Sequence, residues 1–279
     1  LNPALSGLLS ALTYGVGDFL AGLASRRDSP LRVVALTHPI SAVVMLLLAV
    51  VMGQTLPPVS DLLWGVAAGA VGLFAVLAFY RALALGPMGA VSVGAGALSA
   101  LVPVVIGVLG GEVLGLLGWL GALGVLLGTG LLSYSPGEGG SNGRWQDNGV
   151  LIGLAAGLGF GFFFAMLGQA ASPGVFWTLG AARLSSSVIA LALAARLVGL
   201  RPNNLPLILA SAPGDTLGNL FYLLAVQGGG LAVGSLLSSL YPAFTTLLAV
   251  TVLREGLKAT QWVGVVLALV GAGLIAGRS

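Results

Sequence analysis

The chain has no cysteine, a single histidine and few charges, which make up only 7% of its 279 residues. Without cysteine there is no disulfide framework, and with His38 alone almost no metal-ligand capacity remains. No metal site and no cofactor are therefore expected. Ordinary soluble domains carry roughly a quarter charged residues, so water is not the main solvent for this surface. Alternation of apolar and polar residues is also missing, which excludes the short strands of a barrel. No HExxH, GxSxG or carboxylate-rich cytosolic motif occurs, and no enzyme activity is expected.

What is present is apolar. Hydrophobic residues form 57% of the chain, and the mean hydropathy is +1.07. The 45 glycines suit helices that approach closely inside a bilayer. The pI near 9.7 rests on a net charge of only +3, so it indicates no nucleic-acid partner. Ten apolar runs of about 20 residues, the length that spans the hydrocarbon, cover 4–24, 33–53, 62–84, 89–110, 114–134, 149–169, 176–198, 205–227, 230–252 and 258–276. The first lacks a basic leader and reads as a retained helix.

Two of these runs share a pattern. Glu112, Trp119, Gly121, Leu126, Gly128, Gly130 and Leu131 recur 143 positions later as Glu255, Trp262, Gly264, Leu269, Gly271, Gly273 and Leu274. Duplication in so apolar a chain is how many secondary transporters are built. It divides the sequence into a repeat over 1–134, a linker over 135–148 rich in Gly and Ser, and a second repeat over 149–279. The fold expected is all-α, with ten membrane helices in two five-helix repeats.

Charge gives an independent reading of that division. Nine of the eleven Lys and Arg lie in or beside odd-numbered connections: Arg26, Arg27, Arg32, Arg81, Arg144, Arg196, Arg201, Arg254 and Lys258. Arg183, inside the seventh run, and Arg278, at the C-terminal end, fall outside this pattern. Connection 1–2 is basic and its counterpart 6–7 is not; connection 9–10 is basic and its counterpart 4–5 is not. An odd number of spans inverts the second copy, and the basic bias follows the inversion. Read by the positive-inside rule, it places odd connections in the cytoplasm and both termini outside.

Ionisable groups within a span are costly unless paired or wet, so each is a site candidate. Pro213-Gly214 is expected to break run 8 near the midplane. Asp215, Asn219 and Tyr222 follow at i, i+4 and i+7, on one polar face. Arg183 precedes Ser185, Ser186 and Ser187 in run 7. Two readings stay open for it: an ion pair with Asp215, or contact with a substrate carboxylate. Asp18 and His38 stand at similar depths from the connection they share, with Tyr14 one turn away. They form either a static hydrogen bond or a proton-linked gate, since His titrates near neutrality. Tyr80 and Phe164, with Phe79, Phe160, Phe162, Phe163 and Tyr222, supply aromatic surface for a small amphipathic anion or zwitterion, although some of the four clustered phenylalanines must face lipid. Trp177 and Trp64, near helix ends, fit an interfacial belt better. Pro103, Gly214, Pro213 and Pro242 are hinge candidates. Glu112 and Glu255 are expected to fix the turns beside them.

The stretch from Phe79 to Leu132 (FYRALALGPMGAVSVGAGALSALVPVV, then GGE, then GWLGALGVLLGTG) resembles one repeat of the EamA family of the drug/metabolite transporter superfamily. Phe221 to Ala276 resembles it more closely: small residues before Pro242, Glu255 thirteen positions on, then Trp262-x-Gly264. Pro103 departs from this, lying nine residues before Glu112. The resemblance implies a secondary transporter with cytoplasmic termini, opposite to the charge reading. Among the family's activities, one intramembrane Arg, several aromatics and no phosphate clamp favour amino-acid export across the inner membrane. A multidrug or other metabolite exporter is the alternative. The partners expected are a small-molecule substrate and lipid, for a monomeric multi-pass protein.

Overall fold

A computed structural model describes residues 2–111, 115–133, 148–167, 169, 174–238 and 240–276. They form ten helices and, among the described residues, no strand: α1 Pro3–Arg27, α2 Pro30–Val51, α3 Val59–Leu85, α4 Met88–Leu109, α5 Leu116–Ser133, α6 Gly149–Leu167, α7 Val175–Leu197, α8 Leu205–Ser238, α9 Tyr241–Val252 and α10 Ala259–Ala276. Glu112 and the 135–147 part of the linker lie outside the described residues, as does the side chain of Pro103. Among the described residues six helices, α1 to α4, α6 and α7, are long and apolar enough to cross a membrane. Their outward positions are apolar too, for example Val43, Val50, Phe74, Val188 and Leu197.

Helix starts follow ordinary chemistry. Pro3 and Pro30 stand in the first turns of α1 and α2, where a missing N–H costs nothing. The Asn2 side chain accepts from the Ala4 N–H, and that of Asn148 from Leu151. At the other end of α7, Gly199 adopts φ +72°, which lets its N–H reach the Ala194 carbonyl and close the helix.

The ninth run begins before the end of α8, which spans Leu205–Ser238. The direction of the chain nevertheless reverses there. Gly214 meets Gly17 and Gly218 meets Tyr14, so that segment runs antiparallel to α1. Leu237 meets Gly7 and Thr245 meets Gly15, so the later segment runs parallel to it. The chain therefore turns back between Gly218 and Leu237, where the eighth and ninth runs meet, and α9 proper begins at Tyr241.

Contacts between helices come in pairs related by exchange of the two repeats. The extensive antiparallel contact of α1 with α8 has its counterpart in α6 with α3, and parallel α1–α9 has its counterpart in α6–α4. Helices α2 and α7, α4 and α9, and α5 and α10 each meet their own equivalent. The duplicated glycines show this most directly. A Cβ on Gly128 would lie 2.8 Å from the Gly264 carbonyl oxygen, and one on Gly271 2.6 Å from the Gly121 carbonyl oxygen. The repeated positions therefore touch one another across a pseudo-two-fold axis, as two inverted five-helix repeats require.

The odd connections gather at one end. Asp28 caps the end of α1 and is almost wholly buried; its carboxylate accepts from Arg32, from the Ser29 N–H at 3.0 Å and from the Asn203 N–H at 2.7 Å. Arg32 also donates to the Val198 and Gly199 carbonyls, where a cation complements the C-terminal dipole of α7. Glu255 ties connection 9–10 to the same face through Arg26 and the Gly89 N–H, each at 3.4 Å. It braces three segments rather than its own turn. Asp28→Ala should lower unfolding free energy by about 3 kcal/mol, because it strands a mostly buried Arg32. Glu255→Ala, at a longer and wetter pair, should cost under about 1 kcal/mol. Thermal unfolding in detergent checks both, and equal losses would contradict this ranking.

Candidate functional site

In the middle of the bundle, α7 carries Arg183 and α8 carries Asp215, and the two form an ion pair of 2.5 Å. Pairing offsets most of what each charge would cost alone in a span. Arg183 lies on the side of α7 away from exposed Leu184 and Val188, so it points into the protein rather than toward lipid. Its guanidinium stands over the Phe163 ring of α6, 5.9 Å from the centroid, within cation–π range.

Asp215 is shared by several donors. Ser41 of α2 donates to its second oxygen at 2.9 Å, and the Asn219 side-chain amide approaches the first at 3.3 Å. Asn219 also donates to the Asp215 carbonyl at 2.7 Å, so its side chain is held along the helix. Ser187 and Ser186 donate back to the Arg183 carbonyl, at 2.5 and 3.0 Å. Ser186 and Ser187 thus bond back to their own helix, Ser185 donates to the Val66 carbonyl of α3 at 2.9 Å, and the guanidinium is left to face outward from α7. The Asp215 and Arg183 side chains keep 26% and 14% exposure, which leaves both reachable from within the bundle.

Pro213 does not break α8. The helix continues through it, with the ring on the exposed outer side, where the lost hydrogen bond disturbs no neighbour. Gly214 serves contact instead: a Cβ there would lie 2.3 Å from the Gly17 Cα. Pro242 sits in the first turn of α9 rather than mid-helix, and a Cγ contact joins it to Gly96 of α4.

His38 does not meet Asp18. Its Nδ1 lies 2.8 Å from the Ser186 hydroxyl, which ties α2 to α7. Equal depth from a shared connection says nothing about which neighbour a side chain faces, and α1 and α2 touch little. Asp18 makes no hydrogen bond or ion pair among the described residues. Tyr14, one turn before it, packs edge-on against Tyr241 of α9, with centroids 6.2 Å apart.

The aromatic candidates separate by face. Tyr80 is buried in α3 beside Phe79, which packs edge-on against Phe160 at 5.5 Å. Tyr222 packs against the cluster of Met45, Ala49, Phe176 and Leu179. Phe164 is 51% exposed and turned outward, so it lies off the Arg183 cluster; Phe163, which touches Arg183, takes that place. The sequence holds four phenylalanines within five positions, and only packing chooses among them. Ser41 and Ser186 were also not legible as partners, because single serines in apolar helices carry no pattern. Trp177 anchors the opposite end through an indole N–H donated to the Gln54 carbonyl at 3.0 Å.

The model of the EamA-like transporter family matches the chain twice, over residues 1–134 and 147–277. A solved structure titled "Crystal structure of protein" is similar at 21% identity and a TM-score of 0.60. The likeness covers 98% of this chain and 96% of that one, and it carries the fold alone. Among curated proteins none matches.

Proposed function

Because this chain belongs to the EamA-like transporter family, we propose that it carries amino acids out of the cell across the inner membrane. Multi-pass membrane transport is the family's activity; the amino-acid class, the direction and the membrane are the reading advanced here. The observation that carries it is the Arg183–Asp215 pair with Phe163 beneath. A guanidinium has five N–H donors. Asp215 takes one through Nη2, and the rest, which have no hydrogen-bond partner among the described residues, suit a planar carboxylate. A substrate carboxylate therefore docks without stripping Asp215 of its other donors, Ser41 and Asn219. The aromatic ring supplies an apolar wall for the side chain that follows.

Phosphorylated substrates fit less well, since a phosphate normally takes a clamp of two or more cations. Arg183 is the one Lys or Arg placed mid-span in the sequence. Rocking of one repeat against the other then exposes the site alternately to each side. The carboxylate role is tested by competition for labelled phenylalanine flux in proteoliposomes. Phenylalaninol and phenylalanine amide should compete at least about tenfold more weakly than phenylalanine, the loss expected for one charge-assisted contact. Equal competition would remove the carboxylate from the account.

Orientation has its own test, made simple by the absence of cysteine. Arg201→Cys, in the basic odd-numbered face, should resist an impermeant maleimide in intact cells. Thr55→Cys, at the opposite face, should label. The reverse pattern would place both termini in the cytoplasm.

A further inference from the structure

The Arg183 cluster leaves one acidic residue of the interior unused. Asp18 is half-buried on α1, and its position is fixed by two contacts on either side. One residue earlier, Gly17 crosses Gly214 of α8, so Asp18 and Asp215 lie about 3 Å apart in depth on antiparallel helices. Four residues later, Gly22 packs against Leu83 of α3, where an added Cβ would lie 2.9 Å from the Leu83 Cβ. Positions 14, 18 and 22 share one face of α1, and Tyr80 is three residues before Leu83 on the parallel α3. Asp18 and Tyr80 are thereby brought to one level on facing sides. Tyr241 reaches the same region from α9: its ring packs on Tyr14, and its hydroxyl lies 2.9 Å from where a Gly96 Cβ would stand. Tyr14 stands one turn from Asp18 on the same face of α1, so the three rings and the carboxyl share one region.

Arg183 neutralises Asp215, and Asp18 makes no ion pair among the described residues. A carboxylate set among the rings of three tyrosines is the arrangement that recognises an ammonium group, through Coulomb attraction and ring faces together. We propose that Asp18, with Tyr14, Tyr80 and Tyr241, is the ammonium pole of the substrate site, facing the Arg183 carboxylate pole across the α1–α8 crossing. This rests on the reading of the bundle interior as an amino-acid path. It deepens that reading by making the substrate a zwitterion, recognised at both ends.

The test is calorimetric titration of the purified full-length chain in detergent with phenethylamine and with its neutral counterpart, phenethyl alcohol. The wild-type chain should bind the amine at least about tenfold more tightly than the alcohol, and Asp18→Asn should erase that preference. Tyr80→Leu should weaken amine binding several-fold while Tyr80→Phe, which keeps the ring face, should retain it. The two Tyr80 variants and the wild-type comparison keep the test decisive if Asp18→Asn folds poorly. Equal affinity for amine and alcohol, or an amine preference that survives Asp18→Asn, overturns the proposal and leaves Asp18 a proton-binding or structural group. Because binding is read without transport, failure of phenylalanine flux would count against the function proposed above and not against this site.

Discussion

Arg183→Ala should reduce saturable phenylalanine flux in proteoliposomes by between about tenfold and a hundredfold, the loss of one charge-assisted contact of about 1.5–3 kcal/mol. It should also destabilise the fold, since it leaves Asp215 with only Ser41 and Asn219 as partners. Breaking a fully buried pair costs about 3–5 kcal/mol. The 26% exposure of the Asp215 side chain lets water recover part of that, so about 1–3 kcal/mol is expected here. The two effects separate in a double variant. Arg183→Ala with Asp215→Asn removes the stranded charge and should recover most of the stability, yet flux should stay low. Arg183→Lys keeps a charge but not the planar fork, and should fall between. Wild-type phenylalanine flux in Arg183→Ala, with movement of a lipophilic cation intact, would favour the drug-exporter alternative and make the pair structural.

The second large effect is expected at glycines, and its sign depends on position. A Cβ on Gly69 would lie 2.0 Å from the Ala182 carbonyl oxygen, and one on Gly214 2.3 Å from the Gly17 Cα. Both obstacles are backbone, which cannot rotate aside. Alanine at either place must push α3 from α7, or α8 from α1, along the whole crossing. Overpacking ordinarily costs about 1–3 kcal/mol, and these two should reach or exceed the upper figure. Gly130 is the control: it is helical, with nothing within 4 Å of its added Cβ. Alanine there should stabilise by up to about 1 kcal/mol, the helix-propensity difference. Thermal unfolding of the three variants in one detergent reads the contrast directly. If Gly214→Ala and Gly130→Ala shifted the midpoint alike, the α1–α8 crossing would be looser than described.

These effects show which kinds of information the sequence holds. Helix bounds follow from run length and flanking Gly, Pro and Arg, because a bilayer forces apolar spans of fixed length. The inverted repeat follows from one recurring motif and the alternation of basic connections, and the Gly128–Gly264 and Gly121–Gly271 contacts realise it. Arg183 and Asp215 were legible as partners because two mid-span charges of opposite sign have few other choices. Side-chain direction was not legible. Phe164 and Phe163 differ by one position, and only packing on α3 and α7 turns the second inward. His38 pairs with Ser186 of α7 rather than with Asp18, since α2 packs on its own repeat equivalent. Pro213 reads as a break in sequence, but an outward-facing ring leaves the helix continuous.

The odd-numbered face gives the basic residues a second role. Arg32 satisfies the closing carbonyls of α7 as well as Asp28, and Arg26 meets Glu255. Charge placed there by topology therefore also joins connections 1–2, 7–8 and 9–10, which belong to both repeats. In the proposed alternating-access cycle, rocking of one repeat against the other would have to loosen these contacts before that side opens.

The central claim is that this bundle moves amino acids. Its most direct test is uptake of labelled phenylalanine, threonine and methionine into proteoliposomes holding the purified chain, beside a sugar phosphate and a lipophilic cation. The account predicts saturable amino-acid movement, blocked by excess unlabelled phenylalanine, with no movement of the sugar phosphate. Cation movement without amino-acid movement would contradict it.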